Sequence, residues 1–94
     1  MLIVREVFIA KPGQASKLAK LMKSVMDGMP TKCRVMTDLT GDFNRVVLET
    51  EMGSLAELEN RIKEYGKDEK MKEKMKGYTD MYLTGSREIF SVLS

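Results

Sequence analysis

Ninety-four residues, 43% hydrophobic and 32% charged, have the composition of one folded unit rather than of a disordered tail. Sixteen Lys and Arg against fourteen Asp and Glu leave a net charge of +2, too weak a field to argue for nucleic acid or an anionic membrane as partner. The chain has no histidine and a lone cysteine, Cys33. Imidazole zinc sites, histidine triads, histidine-ligated haem and an internal disulfide are therefore excluded.

The first apolar run, Leu2 to Ala10, is rich in β-branched and aromatic residues and is closed by Lys11-Pro12-Gly13, so it reads as a strand. Charge at Arg5-Glu6 comes too early for a signal-peptide core, and no 18-residue apolar stretch occurs. A cytoplasmic protein without a membrane segment is expected. From Ala15 the apolar residues Leu18, Leu21, Met22, Val25, Met26 and Met29 fall three and four apart, with Lys17, Lys20, Lys23 and Asp27 between them. This is an amphipathic helix, with Gly28 expected as its left-handed terminator and Pro30 as a breaker.

Cys33 to Thr40 and Phe43 to Met52 are two strand-like runs around Gly41-Asp42. Placing Leu39 opposite Asn44 sets Asp38 against Arg45, Arg34 against Glu49 and Lys32 against Glu51, three opposite-charge pairs that favour this hairpin register. One face then carries Cys33, Val35, Thr37 and Leu39 with Val46, Leu48, Thr50 and Met52, apolar enough to lie under helices. Ser54-Leu55-Ala56-Glu57 is a capping box that opens a second helix. Its inner face reads Leu55, Leu58, Ile62 and Tyr65; a break is expected near Gly66, after which Met71, Met75, Tyr78 and Tyr82 resume helical spacing. Alternation from Arg87 to Leu93 predicts a last strand.

The order βαββαβ suggests a ferredoxin-like α+β sandwich over residues 1–94, a four-stranded antiparallel sheet with both helices on one face. Its second face mixes charge with Met36, Val47 and one parity of the first strand, either Ile3, Val7 and Ile9 or Val4, Phe8 and Ala10. A sheet apolar on both sides needs a second cover, and a homodimer through that face is the expected solution.

Val7-Phe8-Ile9-Ala10-Lys11-Pro12-Gly13, the hairpin with its Asp42-Phe43-Asn44-Arg45 turn, and Met52-Gly53-Ser54-Leu55-Ala56-Glu57-Leu58 resemble the antibiotic biosynthesis monooxygenase and NIPSNAP-type proteins of the dimeric α+β barrel superfamily. The resemblance covers almost the whole chain. It implies two sheets packed face to face in a dimeric barrel, with any ligand pocket between sheet and helices of each subunit. Members range from cofactor-independent oxygenases of aromatic substrates to haem-degrading enzymes. The latter pair an Asn on the first strand, a Trp ending the third and a His on the second helix. Glu6 and Met52 stand at the first two matching positions and no histidine exists, so that route to haem degradation is not expected.

Glu6 interrupts an apolar strand, and by the resemblance it points under the helices, where a carboxylate can serve as a base towards a phenol or enol. The alternative is a structural carboxylate paired with Arg5, Arg87 or a helix lysine. Tyr65 and Tyr78 are candidate donors to a ligand oxygen, and Met52 completes a candidate ligand-binding group. Met22, Met26, Met29, Met71 and Met75 offer thioethers that a soft metal accepts, but their spacing is that of a core stripe; flexible core filler or an adaptable lining for an apolar ligand is expected instead, and neither metal nor cofactor. Cys33 falls on the inner face, where thiols are usually inert. RNA binding on the sheet is not expected, because Asn44 to Glu51 has no stacking aromatic and carries two acids. The expected function is binding of an apolar or aromatic metabolite, with cofactor-independent monooxygenase-like or isomerase-like chemistry. The alternative is a non-catalytic module acting through its dimer surface.

Overall fold

A computed structural model describes residues 1–93. Alternation along β1 (Leu2–Ala10) separates Val4, Glu6, Phe8 and Ala10 from Ile3, Arg5, Val7 and Ile9, and the fold uses the first set inward. Val4 and Ala10 are 3% and 1% exposed. Helix α1 (Ala15–Met26) buries Leu18, Met22 and Val25 against this side, as the three-and-four spacing predicts. Strands β2 (Cys33–Thr37) and β3 (Arg45–Met52) follow, then helix α2 (Leu55–Lys67), the short helix α3 (Glu69–Lys74), a 3₁₀ turn at Tyr78–Asp80, and β4 (Tyr82–Ser91). All strand pairs are antiparallel, in the order β2-β3-β1-β4. The ferredoxin-like α+β sandwich is therefore the observed fold, its core formed by Ala10, Leu18, Met22, Val25, Val46, Leu48 and Met75.

The hairpin adopts the expected register: Arg34 is the partner of Glu49, Val35 of Leu48 and Met36 of Val47. Arg45 bonds Asp38 at 3.4 Å, whereas Lys32 meets Glu51 through the backbone, its carbonyl accepting from the Glu51 amide at 3.0 Å. The strands are shorter than the apolar runs. Residues 38–44 form a wide loop with Gly41 and Asn44 at positive φ, which removes Leu39 from the inner face and leaves Leu39 and Phe43 exposed.

Two other boundaries differ from the sequence pattern, at the end of α1 and in the last strand. Gly28 does not take a left-handed conformation, and α1 ends through backbone turns at Asp27 and Gly28. The second helix breaks near Gly66 as expected, the break falling at Asp68, where the carboxylate accepts from the Met71 amide at 3.1 Å and so starts α3 as its cap. The last strand begins at Tyr82, five residues ahead of the alternating stretch, and ends at Ser91 rather than Leu93. Gly77, at φ +86°, separates α3 from the 3₁₀ turn that leads into this strand. The capping box forms as a variant: Ser54 Oγ accepts from Glu57 N at 3.2 Å, and Glu57 reaches back to the Gly53 amide at 2.7 Å. Leu55, expected inside, is exposed, and Leu58 is the buried residue of α2.

Candidate functional site

Because α2 buries so little, it stands off the sheet, and a cavity of about 360 Å³ opens between α1, α2, α3 and the strands. This volume lies towards the lower end of the ~300–1,000 Å³ usual for small-molecule sites. Its floor is the inner face of the sheet, with Glu6 and Phe8 from β1 and Leu48, Thr50 and Met52 from β3. Tyr65 comes from α2, Met71 and Met75 from α3 and its cap, and Tyr78 from the 3₁₀ turn. The fold thus brings Glu6, Met52, Tyr65 and Tyr78 to the lining of one cavity, although they come from four separate elements. Six of the nine methionines of the chain also line it. Thioether side chains are unbranched and polarisable, which gives an apolar wall able to follow ligands of different outline.

Glu6 is the Cα partner of Leu48 on one side and of Arg87 on the other. Its Oε1 lies 3.3 Å from Arg87 Nη2, with the Glu6 side chain one-third exposed. Of the three partners open to it, the carboxylate takes Arg87; Arg5 points to the other side of the sheet and pairs with Glu49. Across the cavity, Arg61 of α2 is 19% exposed and ties its helix to the segment before β2, Nη1 donating to Thr31 Oγ1 at 2.7 Å.

The tyrosines are placed by aromatic packing. A register shift between Ile9 and Ala10 inserts one extra residue in β4, which leaves Leu83 exposed and turns Tyr82 to the inner side opposite Ala10. Tyr82 there meets Phe8 edge to face at 5.0 Å between centroids and stacks on Tyr78 at 5.8 Å. Gly85 faces Phe8, where a Cβ would stand 3.3 Å from the ring. Burial, then the nearness of Tyr78 and Glu6, pushes the Tyr65 hydroxyl above its usual range near 10. Tyr78 is raised by burial first, then by Tyr82 and Glu6. Both phenols are therefore held as neutral donors.

Arg61, Ile62 and Phe8 were not picked out as site residues in the sequence, whereas the α1 methionines, read there as core filler or an adaptable apolar lining, do line the cavity. Arg61 carries a signal, since it falls between Leu58 and Tyr65 on the inner stripe of α2. Cys33 is half-buried and donates its thiol to the Met26 carbonyl at 3.2 Å, outside the cavity lining. Among the described residues no group of three or more Cys, Asp and Glu could hold a metal, and no helix is long and apolar enough to cross a membrane.

Solved structures share this architecture. A NIPSNAP domain protein from Burkholderia xenovorans superposes with a TM-score of 0.86 over 100% of this chain and 96% of its own, at 11% identity. The chain shares its fold with that NIPSNAP domain protein. A NIPSNAP family protein from Agrobacterium tumefaciens matches at 0.85 over 98% of this chain and 85% of its own, at 10% identity. An antibiotic biosynthesis monooxygenase matches at 0.74 over the full length of both chains, at 15% identity. At these identities the likeness is one of NIPSNAP and monooxygenase fold, as the resemblance in the sequence implied. No protein-family profile and no curated protein sequence matches the chain.

Proposed function

We propose that this chain binds a small apolar or aromatic metabolite in the cavity beneath α2, with Glu6 as the base that takes its proton. The observation that carries this reading is the cavity itself, a methionine-rich apolar space of about 360 Å³ whose lining includes a carboxylate and two neutral phenols. A purely structural module would fill that space with side chains, since unfilled apolar volume costs stability. A planar, weakly acidic ligand such as a quinol or polyphenol suits the lining: its ring meets thioethers and aromatics while its hydroxyl faces Glu6. Cofactor-independent monooxygenase-type reaction of the deprotonated ligand with dioxygen is the enzymatic form of this reading, and one solved protein of the same fold is an antibiotic biosynthesis monooxygenase.

The same reading includes a homodimer formed through the outer face of the sheet. Ile3, Val7, Ile9, Met36 and Val47 are half-buried there in the lone chain. A shallow depression of about 290 Å³, lined by Arg5, Val7, Met36, Asp38, Arg45 and Val47 among others, offers a seat of mixed charge that a second copy can complement.

The test is titration of β-naphthol and a panel of quinols into the chain and its Glu6→Gln variant, followed by fluorescence and oxygen uptake. Saturable binding that weakens about tenfold or more in the variant, at unchanged unfolding midpoint, is expected. Equal behaviour of the two proteins, or no binding, overturns the reading.

A further inference from the structure

We propose that Tyr65 and Tyr78 jointly donate to a carbonyl oxygen while Glu6 removes the adjacent proton, so that the cavity enolises cyclic ketones. This rests on the cavity being a ligand site and goes beyond it by assigning a reaction that needs neither oxidant nor cofactor. A phenolic ligand brings its own donor and needs an acceptor, which Glu6 supplies; the neutral Tyr65 phenol is matched only if the ligand also carries an acceptor oxygen, and Tyr78, whose hydroxyl is hydrogen-bonded with that of Tyr82, joins it by exchanging that bond for one to the ligand. Tyr65 and Tyr78 line the same cavity as Glu6 and lie close enough to feel its charge. The Tyr65 hydroxyl belongs to a half-buried side chain with Tyr78 and Glu6 as its charged or titratable neighbours. Tyr78 is fixed in place through Tyr82 and Phe8, and Phe8 stands two residues from Glu6 on the same strand face.

The step balances within these groups. The α C–H bond breaks, its proton passes to a carboxylate oxygen of Glu6, and the electron pair forms the C=C bond as negative charge gathers on the carbonyl oxygen. Hydroxyl donors that reach that oxygen stabilise the charge as it develops. Arg87 occupies one of the roughly four acceptor positions that an ionised carboxylate presents, leaving others for the proton. Return of a solvent-exchanged proton from Glu6 to the same carbon gives hydrogen exchange, and, where the ketone is β,γ-unsaturated, its delivery to the γ carbon of the dienolate gives a shifted double bond.

The probe is β-tetralone in heavy water, with loss of its α-proton signal followed by NMR and its binding by saturation transfer. The full chain is compared with Glu6→Gln, Tyr65→Phe, Tyr78→Phe and the double tyrosine variant. Expected is exchange about a hundredfold or more faster with the native chain than with Glu6→Gln, and about tenfold slower in each tyrosine variant through kcat rather than KM. If Glu6→Gln fails to fold, the double tyrosine variant, which keeps the Glu6–Arg87 pair, carries the comparison. Binding of β-tetralone with exchange no faster than in the variants overturns this proposal and leaves the ligand site standing. Absence of binding by both β-tetralone and β-naphthol overturns the two together.

Discussion

Arg34 and Glu49 are directly opposed in the β2–β3 ladder, and their side chains close to 2.7 Å between Nη2 and Oε1. Arg5 reaches the other oxygen of the same carboxylate at 3.1 Å from β1, so Glu49 joins three strands. Its pKa is lowered from 4.5, first by the hydrogen bond from Arg34 and then by Arg5, against an opposing push from burial.

That shift fixes the sign of a pH dependence. The folded chain holds the Glu49 proton less tightly than the unfolded chain, so the stabilisation is fully present above the unfolded value near 4.5 and is lost as pH falls through the lower folded value. Glu49→Gln is expected to lower the thermal midpoint by a few degrees at pH 7. Midpoint against pH should show the two proteins converging in acid. Because Arg34 is well exposed, about 1 M salt should shrink the difference as well.

The outer sheet face predicts the oligomeric state. Sedimentation equilibrium is expected to report twice the 10.7 kDa chain mass and to fall towards the single mass in Val47→Asp. An acid placed between Met36 and Val7 would be desolvated without a partner, a cost of about 3–5 kcal/mol in a closed interface. A native chain that sediments at the single mass at every concentration would remove the dimer from the account.

Core and cavity residues should separate in stability measurements. Leu18 is fully buried among Met22, Val25, Val46 and Ala10, so Leu18→Ala is expected to cost about 2–5 kcal/mol in denaturant unfolding. Ile62 lines the cavity and remains 47% exposed. Ile62→Ala should therefore cost less than about 1 kcal/mol while enlarging the mouth of the site. Equal losses in the two variants would mean that the space under α2 is closed in solution.

Sequence alone determined the secondary elements that rest on local rules. The three-and-four spacing of Leu18, Met22 and Val25, the Ser54 cap and the charge pairing of Arg34 with Glu49 each depend on neighbours in the chain or on one hairpin, and each is present in the fold. The antiparallel βαββαβ sheet followed from their order, and Glu6 stood out because a carboxylate in an apolar strand needs a reason. Tertiary structure decided the rest. Tyr82 fits helical spacing as well as strand pairing, and only the bulge opposite Ile9 and Ala10 commits it to β4. Arg87 becomes the partner of Glu6 through a register between strands about eighty residues apart, set by packing across the whole sheet. The cavity itself is a gap between helix and sheet. No residue pattern encodes how far α2 stands from the strands, because that distance results from the sum of all side-chain volumes beneath it.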